Sequence, residues 1–137
     1  MDNIKDTLFN LCKKAFKNAY VPYSNYQVGA ALVTKDNKAF IGANIENVSY
    51  GLSMCAERSC IYSAYANGVK KDDIVAFALV TDSKDFGMPC GACLQVLSEL
   101  LNSDTPIYVF NLKGDSLETN IETLLPYAFK EADLKNV

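Results

Sequence analysis

Cys55-Ala56-Glu57 and Pro89-Cys90-Gly91-Ala92-Cys93 bring three thiols and one carboxylate into a chain that contains no histidine. Zinc takes four ligands, and its catalytic sites leave one position to water, so three cysteines and a water complete one coordination sphere. The two residues between Cys90 and Cys93 return both sulfurs to one side of a helical first turn, and Pro89 suits the position at or just before a helix start. Helix N-termini at Cys55 and at Cys90 would aim their positive ends at the thiolates, which lowers thiol pKa and favours a metal. Glu57 shares a turn with Cys55 and is placed to reach a water on that metal rather than the metal itself. Zinc brings such a water to a pKa of roughly 7, so hydroxide becomes available as a nucleophile near neutral pH. Glu57 would then act as the proton shuttle, the catalytic group of this chemistry.

Other readings of the same residues stay open on spacing alone. A bare Cys-x-x-Cys also serves redox dithiols and structural zinc knots; the absence of a fourth protein ligand speaks against the knot, and Cys-Ala-Glu speaks against both. A glutamate at a helix N-terminus is also stabilised there without any catalytic task. Three thiolates leave Zn²⁺ with a net charge of −1, and Arg58, next to Glu57, is placed to offset it by donating hydrogen bonds to the cysteine sulfurs; the alternative is a surface arginine paired with an acid. Of the five cysteines, Cys12 and Cys60 read as small buried hydrophobes, with Cys60 the remaining rival as a ligand.

Helices and strands must present these groups. Ile4, Leu8, Leu11, Cys12, Ala15, Phe16 and Ala19 recur at helical spacing and predict an amphipathic helix that ends before Val21-Pro22. Residues 26–34 and 39–44 read as a β-hairpin across the polar turn 35–38. A second helix starts near Cys55 and stops at Asn67-Gly68, a dipeptide suited to a left-handed cap. Residues 74–81 form an apolar run expected of a central strand covered on both faces. A third helix runs from near Cys90 with Leu94, Leu97, Leu100 and Leu101 inward, followed by a strand over 106–111. Residues 121–131 form a short helical stretch broken at Pro126, and the last residues, 132–137, are the part least expected to fold. The order predicts a mixed sheet with helices on its faces, helices two and three connecting neighbouring strands.

The bulk properties fit one domain over 1–137. Half of the residues are hydrophobic, 21% are charged, and Pro and Gly number 4 and 7, which excludes a disordered chain. A domain near this length buries roughly 68% of the surface its unfolded chain exposes. A net charge of −3 provides no basic surface for long nucleic acid. The N-terminus carries acids where a secretory signal is basic, no run of about 18 apolar residues occurs, and the cysteines look like ligands or core; the expected location is cytoplasmic and no membrane partner is expected.

A His or Cys two residues ahead of a Glu, followed later by Pro-Cys-x-x-Cys, is the signature of zinc deaminases of nucleobases. With segments 19–24 (Ala-Tyr-Val-Pro-Tyr-Ser), 28–32 (Val-Gly-Ala-Ala-Leu), 44–47 (Asn-Ile-Glu-Asn), 55–58, 89–93 and 124–129 (Leu-Leu-Pro-Tyr-Ala-Phe), the chain resembles, over nearly its full length, the small homotetrameric cytidine deaminases whose zinc is held by three cysteines. The resemblance implies a three-layer α/β/α fold with a five-stranded mixed sheet and helices on both faces. It implies one Zn²⁺ per chain on Cys55, Cys90 and Cys93, and hydrolytic deamination of cytidine and 2′-deoxycytidine to uridine and 2′-deoxyuridine with release of ammonia, in pyrimidine salvage. It also implies that Asn44 and Glu46 hold the ribose 3′-hydroxyl, that Tyr26, where the family usually has Phe, lies beside the nucleoside, and that backbone groups at Ala56 and before Pro89 read the pyrimidine edge. Phe129 and Tyr50 are implied to act across subunits in a homotetramer. Met88, Leu94 and Tyr127 depart from frequent serine, arginine and glycine. Rival readings are a deaminase of a blasticidin-type antibiotic, which lacks the ribose pair, a nucleic-acid editing deaminase, which needs a basic channel, and a zinc-stabilised binding protein without turnover.

Overall fold

The computed structural model describes residues 3–135. Helix α1 (Asn3–Phe16) precedes a hairpin of β1 (Val28–Thr34) and β2 (Ala39–Ala43); α2 (Ala56–Ala66), β3 (Ile74–Thr81), α3 (Gly91–Leu100), β4 (Ile107–Phe110), β5 (Ser116–Thr119), α4 (Ile121–Leu124) and α5 (Glu131–Lys135) follow. The strands form one sheet in the order β2-β1-β3-β4-β5. Only β3 and β4 are parallel, joined by the α3 crossover, and the other pairs are antiparallel.

The apolar run of β3 is explained by its place in the middle of that sheet. Phe77 and Leu79 pack with Ala56, Cys60, Ile61 and Ala64 of α2 and with Leu97 of α3, while Ala76, Ala78 and Val80 face Leu8 and Cys12 of α1. Period-two alternation sends neighbouring residues to opposite faces, so a strand with a layer on each side must be apolar throughout. The result is the expected mixed sheet between two helical layers, α1 on one face and α2 with α3 on the other. The α1 layer meets mostly alanine on the sheet, which lets that helix lie close. Residue 42 is a glycine for a related reason: a Cβ there would collide with the backbone of Ala56 and Cys60. The start of α2 is thereby pressed against β2, and this close approach fixes where Cys55 emerges.

Several boundaries differ from the sequence expectation. Helix α1 stops at Phe16 instead of continuing to Ala19: the Asn18 and Ala19 amides bond the carbonyls of Ala15 and Phe16, three residues back, and Tyr20 N–H donates to the Asn44 carbonyl at 3.0 Å, a distant partner that leaves no local signature. Helix α2 does not connect neighbouring strands, since β1 lies between β2 and β3; only α3 does so. The fifth strand carries no apolar alternation, being a mostly exposed edge with sequence Ser-Leu-Glu-Thr. It is set by the preceding turn, where Asn111 Oδ1 accepts from the backbone of Lys113 and Asp115 and Gly114 takes a φ of 93°. Residues 132–135 are helical, contrary to expectation, and residues 136–137 lie outside the described chain. Gly68 has the left-handed φ, 92°, that its place after α2 predicts. Among the described residues no helix is long and apolar enough to cross a membrane.

Candidate metal centre and nucleoside pocket

Cys55 and Cys90 occupy the N-cap positions of α2 and α3. Ser, Thr, Asp or Asn usually stands there and bonds the first free amides. Neither cysteine side chain does so. The sulfurs are therefore free for another partner, and they turn towards each other: Cys55, Cys90 and Cys93 form a cluster whose sulfurs all lie within 4.8 Å of one another. The Cys55 and Cys90 sulfurs are 3.8 Å apart. Tetrahedral zinc with Zn–S bonds of about 2.3 Å requires sulfurs about 3.8 Å apart, so the cluster has the dimensions of one zinc ion per chain. Cys93 is buried, Cys55 half-buried and Cys90 exposed, which leaves one side of the cluster open.

The electrostatics favour a cation. A hydrogen bond from Cys93 brings the Cys55 thiol down to about 5, against the opposing effect of burial, with Arg58 assisting. Cys93 is pushed up for the complementary reasons: it keeps the proton it shares with Cys55, and it is buried. Arg58 Nη2 donates to Cys55 Sγ at 3.4 Å, which puts the guanidinium against the thiolate cluster. Its Nε is buried without a partner. Glu57, one residue into α2 from its first position, is 4% exposed, and burial raises its carboxyl to about 7, with the Cys55 charge adding to the rise. A carboxyl with that pKa can both take and give a proton at neutral pH.

Cys12 and Cys60 stay away from this cluster. Both are fully buried, and Cys60 donates to the Phe40 carbonyl at 3.4 Å. Burial pushes both thiols up, which keeps them protonated and poor as ligands.

Asn44 and Glu46 follow β2 directly. Ile45 between them bridges Tyr20 on one side and Met54 on the other, which pins residues 44–46 in an extended conformation. Asn44 Nδ2 donates to the Tyr26 carbonyl at 2.8 Å and Oδ1 accepts from Val28 N–H at 2.9 Å, leaving one donor and one acceptor position of the amide. Glu46 Oε1 accepts from the backbone of Tyr23 and Ser24 at 3.0 and 3.1 Å, and Oε2 accepts from the Ser24 hydroxyl. The Ser24 hydroxyl, above all, holds the Glu46 carboxyl below the usual range. Ser24 is a site residue that sequence reasoning did not single out; it lies inside the 19–24 segment, but no spacing rule links it to residue 46. Glu46, Ser24, Tyr23, Tyr50 and Ser53 line a cavity of about 350 Å³. That size is within the range of small-molecule sites. A larger cavity of about 490 Å³ lies between α1 and the β1–β2 turn, beside Ile4, Thr7 and Val75 and away from the cysteines.

Tyr26 is 40% exposed and its hydroxyl is bonded to Ser83. Ala56 is buried at the first position of α2, and Met88 is 45% exposed just ahead of Pro89. Tyr50 is 75% exposed, edge-on to Tyr23 with ring centres 5.9 Å apart. Phe129 is 57% exposed, with its carbonyl on Gln95 of α3, and it does not line the cavity beside Glu46.

The description of cytidine and deoxycytidylate deaminase zinc-binding regions matches residues 2–109. A cytidine deaminase of Halalkalibacterium halodurans is 50% identical over 123 residues, covering 90% of this chain and 92% of its own. One from Sporosarcina psychrophila is 47% identical over 122 residues, covering 89% and 88%. The crystal structure of cytidine deaminase from Burkholderia pseudomallei superposes with a TM-score of 0.87 at 45% identity, covering 90% of this chain and 98% of that one. With the three-thiol cluster and the five-stranded sheet, these likenesses place the chain in the zinc-dependent family of cytidine and deoxycytidylate deaminases.

Proposed function

We propose that the chain, as one domain over 1–137, hydrolyses cytidine and 2′-deoxycytidine to uridine and 2′-deoxyuridine, water adding at C4 and ammonia leaving. The observation that carries this is the three-sulfur cluster, sized for one zinc, at two helix starts with the buried Glu57 on the first turn of one of them. Cys55, Cys90 and Cys93 hold the ion. The chemistry zinc supplies there is Lewis acidity, which makes water nucleophilic near neutral pH. Arg58 and the two helix N-termini offset the excess negative charge of three thiolates.

Glu57 accepts the proton that the attacking water loses and returns it to the departing amine, so no net proton is consumed by the residue. Its burial supports this role, because desolvation raises the carboxyl well above the usual carboxylate range and so eases proton uptake. Asn44 and Glu46 bind the ribose 3′-hydroxyl; the free amide positions of Asn44 and the ionised, oriented carboxylate of Glu46 support that reading. Backbone groups of Ala56 and Met88 address the pyrimidine edge, and Tyr26 lines the nucleoside.

Phe129 completes the pocket of a neighbouring subunit in a homotetramer, and Tyr50, which also lines the cavity beside Glu46 in its own chain, reaches across the same seam. Their exposure within one chain supports this, as do Val48 and Leu52, 75% and 72% exposed beside Tyr50; apolar groups bared together on a loop favour a protein partner. The enzyme works in the cytoplasm, in salvage of pyrimidines. Cytidine incubated with zinc-loaded protein should give uridine and ammonia in equal amounts. Absence of both, from folded protein with one zinc per chain, would defeat this function.

A further inference from the structure

Tyr26 carries a hydroxyl that a phenylalanine at this position would lack. It shares a 2.9 Å hydrogen bond with the Ser83 hydroxyl. Ser83 N–H in turn donates to Thr81 Oγ1 at 3.2 Å, and Thr81 is the last residue of β3 and 2% exposed. Gly87 closes against the same point: a Cβ there would lie 2.5 Å from both the Tyr26 hydroxyl oxygen and Thr81 Oγ1. The segment 82–90 has no helix or strand of its own and ends in Pro89-Cys90. It depends on such contacts for its position.

The backbone of Tyr26 meets the other side of the pocket. Its carbonyl accepts from Asn44 Nδ2 at 2.8 Å, and its N–H donates to Ser24 Oγ at 3.0 Å, the hydroxyl that holds Glu46. One residue thus touches both arms of the site through different atoms. We infer that Tyr26 is a positioning residue whose hydroxyl, bonded to Ser83 against Gly87, ties the segment bearing Asn44 and Glu46 to the segment delivering Cys90, so that the two sides of the pocket hold one register.

This inference rests on the nucleoside reading above for its effect on KM, but not for its structural content. Losing the bond frees the 82–88 segment to sample positions in which the pocket is misaligned. Affinity then falls by the fraction misaligned, while complexes that do form react at the normal rate. Tyr26→Phe keeps the ring and the backbone carbonyl and removes only the hydroxyl; Ser83→Ala removes the partner; Ser83→Thr keeps a hydroxyl.

The test is amide hydrogen exchange on zinc-loaded protein, run with cytidine kinetics. In Tyr26→Phe and in Ser83→Ala, exchange of residues 82–88 should quicken about fivefold, and KM should rise about fivefold with kcat within about twofold. The double variant should be no worse than either single one, and Ser83→Thr should behave as wild type. Exchange unchanged in Tyr26→Phe overturns the inference, as does faster exchange with an unchanged KM, or additive effects in the double variant. If the wild type does not deaminate cytidine, the activity reading fails on its own and the exchange result alone decides whether the bond holds the segment.

Discussion

The two sides of the site are built differently. The metal side is three thiols on two helix starts, fixed by the sheet: α2 is pressed onto β2 at Gly42, and Cys93 is sealed among core residues. The nucleoside side is irregular chain, residues 20–26 and 44–54, held by one bridged residue, Ile45, and by side-chain hydrogen bonds to Asn44 and Glu46, with Val48, Tyr50 and Leu52 bared to solvent. Groups carried at the ends of packed helices are placed more precisely than groups carried on loops. Loops rimmed with exposed apolar side chains leave enclosure unfinished, and the proposed tetramer would finish it. The three-sulfur cluster is complete within one chain, whereas the cavity beside Glu46 stays open along a rim of exposed apolar side chains.

The largest effect expected from this division is on the metal side. Cys55→Ala, Cys90→Ala and Cys93→Ala should each lower zinc well below one per chain and remove turnover, while Cys60→Ala keeps both, since its thiol is buried in the core, outside the three-sulfur cluster, and bonds the Phe40 carbonyl. Metal analysis of the four purified variants decides this; zinc lost only in Cys60→Ala would reverse the ligand assignment.

Next comes recognition on the open side. Removing the 3′-hydroxyl of cytidine should reduce kcat/KM by about 10²-fold or more, whereas 2′-deoxycytidine stays a good substrate, because the former leaves Asn44 and the Glu46 carboxylate facing an unfilled polar position. Equal kcat/KM for the two analogues would remove the proposed ribose pair from the account.

Glu57 makes the contrast measurable as stability in metal-free protein. Its carboxyl rises from 4.5 to about 7 on folding, chiefly by burial, so the folded state binds more protons between those values. Stability from this group is full below pH 4.5 and is lost as pH rises through 7, by about 3 kcal/mol in total. The depressed Cys55 thiol acts with the opposite sign above pH 5, so the informative quantity is the difference between wild type and Glu57→Gln. Urea midpoints should show the variant gaining on wild type from pH 5 to pH 8; parallel curves would mean that Glu57 is not held in a desolvated place.

The smallest effect concerns the shared rim. Phe129→Ala should raise KM about tenfold, in line with the loss of one buried aromatic contact. In hybrid oligomers formed with Glu57→Gln chains, some pockets combine an intact Glu57 with a neighbour's Phe129, and a fraction of the activity should return with normal KM. Hybrids that keep only the raised KM would show that Phe129 serves its own chain.

What could be seen in the sequence divides along the same line. The helix starts at Cys55 and Cys90 follow from the cysteine spacing, Pro89 and the apolar periodicity, and β3 follows from an unbroken apolar run, because these signals are local. At the end of α1 the Tyr20 amide pairs with the distant Asn44 carbonyl, and β5 follows the Asn111 turn rather than any alternation of its own, so neither has a periodic trace. Glu46 is visible as part of a motif, but the Ser24 hydroxyl that orients it is 22 residues away and joins it only when Ile45 bridges Tyr20. Tyr50 and Phe129 carry no spacing signal at all, and the fold of one chain leaves both exposed.

The most direct measurement is cytidine turnover by Glu57→Gln, with zinc content and near-ultraviolet circular dichroism recorded on the same sample. The account predicts one zinc per chain, an unchanged fold, and a rate reduced by about 10²–10⁴-fold or more. Wild-type turnover from this variant would contradict it, because the carboxyl beside the three-sulfur cluster would then carry no proton in the reaction.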